Sequence, residues 1–291
     1  FSNKSFQEGL PPIFYLNMDH RTERREHLES EFSKWGITDY TRVSANRFHT
    51  SRINEWGRKL DLMLLAPSDA SIVMNEFWTF IDWYNSGISE NMILIQDDLA
   101  LDLIEYWPFD WNTLYKNLPY NWDIVQFYYC HNDFLNMHLS PRIGESSSAA
   151  CILINRHFVE KLMRIHLQPD GSFKLANSLR DVSIPRECYS SDDWLIYQVG
   201  KSYTLPILCL NQRLATRPDN RQEASENEEM YDEVVAQYHN KLYDILATTV
   251  TRKWWETSSK NYSVDDILSW GSPIHHEMRI QLPQYDGKGP V

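Results

Sequence analysis

An apolar run, a polar turn and an amphipathic helical pattern follow one another near the start of this chain, and the same alternation recurs along it. Ile13 to Asn17 reads as a buried strand and Asp19-His-Arg-Thr as a polar loop. Glu23 to Trp35 then spaces Leu28, Phe32 and Trp35 four and three residues apart, one face of a helix that Gly36 ends. A β-loop-α unit of this kind, repeated, argues for an α/β layer structure with a mostly parallel sheet.

The pattern continues downstream. Pro67-Ser68 opens a long helical stretch, with an N-cap expected at Ser68, that carries Ala70, Val73, Phe77, Phe80, Ile81 and Tyr84 on one side before Gly87 closes it. Met92 to Ile95 is a continuous apolar run that ends in Gln96-Asp97-Asp98. Trp122 to Cys130 and Ala149 to Ile154 read as further strands, the second followed by a helix from Arg156 to Ile165 with Phe158, Leu162 and Ile165 on one face. A helix over Asp192 to Val199, capped by Ser191, precedes a strand from Tyr203 to Leu210. Beyond Arg217 the character changes: Asp219 to Glu233 holds seven acidic residues opposed by Arg221 alone, a solvated helix face. Residues 11–215 are therefore expected to form the main domain, and residues 216–291 a C-terminal helical and irregular appendage packed on it.

Charge and composition exclude several classes of function. Lys and Arg number 28 against 40 Asp and Glu, a net charge of −12, which repels phosphate backbones and anionic lipid and makes a nucleic-acid partner a poor expectation. With 42% hydrophobic and 13% aromatic residues, the 291-residue chain can build a substantial core, yet no apolar run reaches the roughly 18 residues of a membrane span. Phe1 to Leu10 lacks the basic start and apolar stretch of a signal peptide, so a soluble, cytoplasmic chain is expected. Cys130, Cys151, Cys188 and Cys209 are widely spaced and read as free thiols.

The most informative spot is the strand that ends in Asp97-Asp98. Paired carboxylates at a strand end can hold a hard divalent cation, which neutralises phosphate oxygens; the same dipeptide also opens turns and caps helices. Its place after a buried strand favours a ligand role, because ligands in open α/β sheets gather at the carboxyl ends of strands. Arg24 and Arg25, by contrast, read as a solvated helix face. Asp192 and Asp193 fall at an expected helix start, where the dipole keeps a carboxylate ionised, so they serve either as a cap or as a general base. His131 with Asp133 and the pair His275-His276 are further candidates for a metal or phosphate site.

Several of these blocks together resemble one family. Ile13-Phe-Tyr-Leu-Asn-Met-Asp-His-Arg-Thr-Glu-Arg-Arg, Tyr40-Thr-Arg-Val-Ser-Ala, Leu65-Ala-Pro-Ser-Asp-Ala-Ser, Met92-Ile-Leu-Ile-Gln-Asp-Asp, Ser148-Ala-Ala-Cys-Ile-Leu-Ile-Asn and Ser191-Asp-Asp-Trp-Leu stand in the order of the family 25 glycosyltransferases. That group includes lipopolysaccharide glycosyltransferases and collagen galactosyltransferases. In two places this chain departs from it: Gln96 replaces the first acid of Glu-Asp-Asp, and Asp69 the usual helix His.

The resemblance implies a GT-A type, Rossmann-like fold and an inverting glycosyltransferase. Such an enzyme moves a sugar from a nucleoside-diphosphate donor, expected to be UDP-linked, to a hydroxyl of a glycan or glycoprotein. It also implies Asp98 as ligand to Mn²⁺ or Mg²⁺, with Gln96 weakening that site because an amide oxygen binds such cations less well than a carboxylate. Donor contacts are expected from Asn17, Asp19, Arg21, Gln96 and Asp97. Asp193, beside Trp194, is the expected base, with Asp192 the alternative. Two other readings use the same residues: a catalytically reduced carbohydrate-binding protein of this fold, and a metal-dependent hydrolase or nucleotidyltransferase.

Overall fold

Continuous apolar runs in the central strands dictate a sheet covered on both faces. The computed structural model describes residues 5–52, 67–107, 109–128, 139–142, 148–173, 196–197 and 199–211, together with Gln237, Asn240 and Leu242. Strand β1 (Ile13–Asn17) leads through a polar turn into α1 (Thr22–Trp35), and β2 (Tyr40–Ser44) returns parallel to β1. Gly36, at φ 66°, ends α1 in the left-handed conformation that a side chain would disfavour, and donates its N–H to the Ser33 carbonyl.

The chain continues through α2 (Pro67–Ser86), β3 (Asn91–Gln96), β4 (Leu99–Ala100), α3 (Trp111–Asn117) and β5 (Ile124–Gln126). It then runs through β6 (Ser140–Pro141), β7 (Cys151–Asn155), α4 (Arg156–His166), β8 (Ser202–Thr204) and β9 (Cys209–Leu210). Seven of these strands form one sheet in the order β2-β1-β3-β7-β5-β8-β6. β7 pairs antiparallel with β3 and β5, and β6 antiparallel with β8, while β2, β1, β3, β5 and β8 all run the same way. The fold is thus mixed α/β with a mostly parallel central sheet.

Residues alternate cleanly between two cores. Ile13, Tyr15, Ile93, Ile95, Val125 and Leu153 join Leu28 and Phe32 of α1 on one face. Leu16, Met92, Leu94, Ile124, Ile152 and Ile154 join Val73, Phe77 and Phe80 of α2 and Phe158 and Leu162 of α4 on the other. Such a strand buries both faces, which is why β3 is a continuous apolar run rather than an alternating one. Leu242, from the C-terminal part of the chain, is buried in the α1-side core. No described helix is long and apolar enough to cross a membrane.

Three expectations change at the level of element boundaries. The long helix starts at Pro67, where a missing N–H does no harm, so Ser68 lies inside its first turn rather than at the cap. The strand expected over Trp122 to Cys130 is confined, among the described residues, to β5. The run from Tyr203 to Leu210 splits between two sheets, because Pro206 has no N–H for a ladder and the amides of Ile207 and Leu208 both turn onto the Phe127 carbonyl. Its second half, β9, pairs antiparallel with β4 in a separate two-stranded sheet. Cys151 and Cys209 are free and buried; Cys130 and Cys188 lie outside the described residues.

One buried charge secures β5 to α4. Asp123 is fully buried and accepts from Lys161 Nζ at 2.6 and 2.9 Å and from the Lys201 amide at 2.7 Å. Asp123→Ala leaves an ammonium and an amide without their acceptor, and should lower unfolding stability by about 2 to 3 kcal/mol. Urea denaturation checks this; an unchanged midpoint would show that water replaces the carboxylate.

Candidate functional site

The carboxyl ends of β1, β2 and β3 lie side by side, and the polar groups that the buried strands exclude collect there. β1 and β3 pair in parallel with Leu16 opposite Gln96, so Asn17 and Asp97 leave the sheet together. Both are buried, Asn17 to 1% and Asp97 to 7% exposure. Asn17 Nδ2 donates to Asp97 Oδ2 at 2.7 Å and to the Arg21 carbonyl at 3.0 Å, while its Oδ1 accepts from Arg42 Nε at 2.9 Å. An aspartate could not donate to a neighbouring carboxylate, so the amide is the side chain that this position requires.

Arg24 supplies the positive charge. Its Nη1 lies 2.9 Å from Asp97 Oδ1 and 3.4 Å from Asp98 Oδ2, and all three side chains are close to buried, at 13%, 9% and 14% exposure. The expectation of a solvated face for Arg24 is therefore overturned. The signal that could have revealed it is its spacing: Arg24 stands one helical turn before Leu28 and two before Phe32, on the stripe that α1 turns toward the sheet. Arg25 is half-buried.

Asp97 has both oxygens engaged and serves to hold Asn17 and Arg24. The strand has ended at Gln96, so strict alternation fails at Asp98, which also meets Arg24. Its Oδ1 is buried without a hydrogen-bond partner. Burial pushes the Asp98 carboxyl up from 3.8 to about 6; the Arg24 charge opposes this shift and the Asp97 charge adds to it. The backbone carbonyl of Asp98 accepts from the Asn211 amide at 2.7 Å, and Asn211 Nδ2 contacts His27 Nε2 of α1 at 3.1 Å. The loop carrying the acids is thus gripped from β9 and α1 together.

The remaining expected donor contacts lie at the rim. Asp19 is exposed and pairs with Arg42 Nη2 at 2.5 Å; hydrogen bonds from Arg42 and Ser44 hold its carboxyl below the usual range. Arg21, just before α1, bonds Glu23 at 3.3 Å. Gln96 is half-buried, and its backbone N–H donates to the Ala150 carbonyl at 2.8 Å. Arg42 was not singled out in the sequence; it stands in register with Tyr15, on the face that Asn17 continues, and an arginine inside a strand was the available sign. Asp192, Asp193, Trp194, His131, Asp133, His275 and His276 lie outside the described residues, as does the side chain of Asp69.

A divalent cation fits this arrangement poorly. Mg²⁺ or Mn²⁺ needs several oxygen ligands, and among the described residues no three His, Cys, Asp or Glu converge on one point. Asp98 Oδ1 is the one carboxylate oxygen of the acid pair without a partner, and a guanidinium already sits between the two acids.

No protein-family model matches this chain, and no curated protein matches it. Among solved structures it is similar to the one titled "Crystal Structure of A197 from STIV", at 10% identity and a TM-score of 0.35, over 69% of this chain and 84% of that one. So distant a likeness has no bearing on activity.

The buried acid gives the site a measurable signature. Below pH 3.8 Asp98 is protonated whether folded or unfolded; between 3.8 and about 6 the unfolded chain releases the proton that the folded chain keeps; above about 6 both are ionised. Its contribution to stability therefore falls as pH rises through that window, by about 3 kcal/mol in all. Asp98→Asn, which does not ionise, should gain stability relative to the native chain between pH 4 and pH 7. Parallel urea titrations across that range would refute the shift.

Proposed function

We propose that this protein is a GT-A type glycosyltransferase, similar to family 25, that transfers a sugar from a UDP-linked donor to a hydroxyl of a glycan or glycoprotein with inversion. The observation that carries the reading is the Asn17-Asp97-Arg24-Asp98 cluster, set at the carboxyl ends of three adjacent parallel strands where ligands of open α/β sheets bind. The order of sequence blocks around it supports the same reading.

The chain's own residues then divide the work. Asp19, exposed and ionised, offers carboxylate oxygens to the ribose hydroxyls at the rim, and Arg42 fixes its direction. Asn17 and Asp97 hold the floor of the site rigid. Arg21 and Gln96 border the place where the diphosphate would lie. Asp193 is the proposed general base: it takes the acceptor hydroxyl's proton as that oxygen attacks the anomeric carbon, while the carbon-oxygen bond to the diphosphate breaks on the opposite side.

Calorimetry of the full chain against UDP, GDP and CMP, followed by UDP-sugars, tests the reading. UDP should bind selectively, and a chain that binds none of these nucleotides is not this enzyme. Asp19→Ala, at an exposed position, should weaken UDP roughly tenfold without changing the melting temperature. Asp193→Asn should leave UDP affinity intact and lower the acceptor-dependent rate by about 10²- to 10⁴-fold; a normal rate moves the role to Asp192, tested by the same substitution.

A further inference from the structure

We propose that Arg24 is the resident cation of this site, so that a nucleoside diphosphate binds here without a divalent metal ion. The inference rests on reading the site as one for nucleotide-sugars, and it departs from the Mn²⁺ or Mg²⁺ that the family resemblance implies.

Geometry comes first. The guanidinium reaches Asp97 Oδ1 at 2.9 Å and Asp98 Oδ2 at 3.4 Å, bridging the two acids whose job in a metal-dependent site would be to meet the ion. For a divalent cation to take both carboxylates, Arg24 would have to leave them. Separating charges this deeply buried is strongly unfavourable, because the group left behind loses its partner without regaining water. A cation held by Asp98 Oδ1 alone would instead sit beside a fixed guanidinium of like charge, where low polarity magnifies the repulsion.

The charge count agrees. With Gln96 neutral, the segment Gln96-Asp97-Asp98 carries two negative charges when ionised, and Arg24 cancels one of them. An acid at position 96 would leave a larger excess for a metal to neutralise. Asn17 removes the last demand on Asp97 by donating to its second oxygen. The guanidinium is also the better permanent occupant: it stays charged at every working pH and is less strongly hydrated than an ammonium. Held by α1, it supplies the site with a positive charge that cannot be removed by chelation.

Two measurements on the 291-residue chain test the idea. In the first, UDP is titrated by calorimetry in chelator and in Mn²⁺; the dissociation constants should agree within about twofold, a negligible difference in binding free energy. In the second, Mn²⁺ uptake without nucleotide is read from the loss of the free-ion electron paramagnetic resonance signal. The native chain should leave that signal intact. Arg24→Gln should take up Mn²⁺, weaken UDP in chelator by roughly 10- to 100-fold, and regain affinity when Mn²⁺ is added, while Arg24→Lys should stay metal-independent. UDP binding by the native chain that disappears in chelator would overturn the assignment of Arg24 and leave the nucleotide-sugar reading standing. No UDP binding in either condition would overturn both. The native-chain titrations decide the matter even where Arg24→Gln does not fold.

Discussion

Placing two adjacent carboxylates at the end of a strand buried on both faces is the constraint around which this molecule is arranged. Both side chains are nearly buried, so much of the compensation comes from neighbouring elements. Asn17 arrives from β1 and Arg24 from α1, each directed at Asp97, and Arg24 extends to Asp98. Arg42 from β2 then satisfies the other end of the Asn17 amide. A single unfavourable placement thus ties the first three strands and the first helix into one polar assembly.

The apolar architecture was legible in the sequence because it follows from periodicity. Ile13–Asn17, the helix closed by Gly36 and the helix closed by Gly87 stand as their patterns require. Strand ends were harder: Pro206 divides one apolar run between two sheets, and only the partner strands decide where the division falls. The acid pair and Asn17 were visible as residues, but their relation depends on the parallel register of β1 and β3, which the chain encodes over some eighty intervening positions. Arg24 was the instructive failure. Charge argued for solvent, while helical spacing from Leu28 and Phe32 argued for burial, and spacing prevailed because a carboxylate pair waited inside.

The two neighbouring acids stand in different surroundings. Asp97 is paired on both oxygens, by Asn17 and Arg24; Asp98, one residue further, meets Arg24 through one oxygen, keeps the other without a partner, and burial pushes its carboxyl up to about 6. Both side chains are nearly buried, and it is their hydrogen-bond partners that differ.

The clasp formed by β4 with β9, and by the Asp98 carbonyl with Asn211, joins segments more than a hundred residues apart along the chain. Among the described residues, the other members of the acid cluster come from the first ninety-eight. During synthesis the N-terminal strands can therefore pair long before the clasp exists, and the Asp98 carbonyl gains its Asn211 donor only once that residue has emerged. The polar centre is among the earliest parts of the molecule to be made and among the last to be closed.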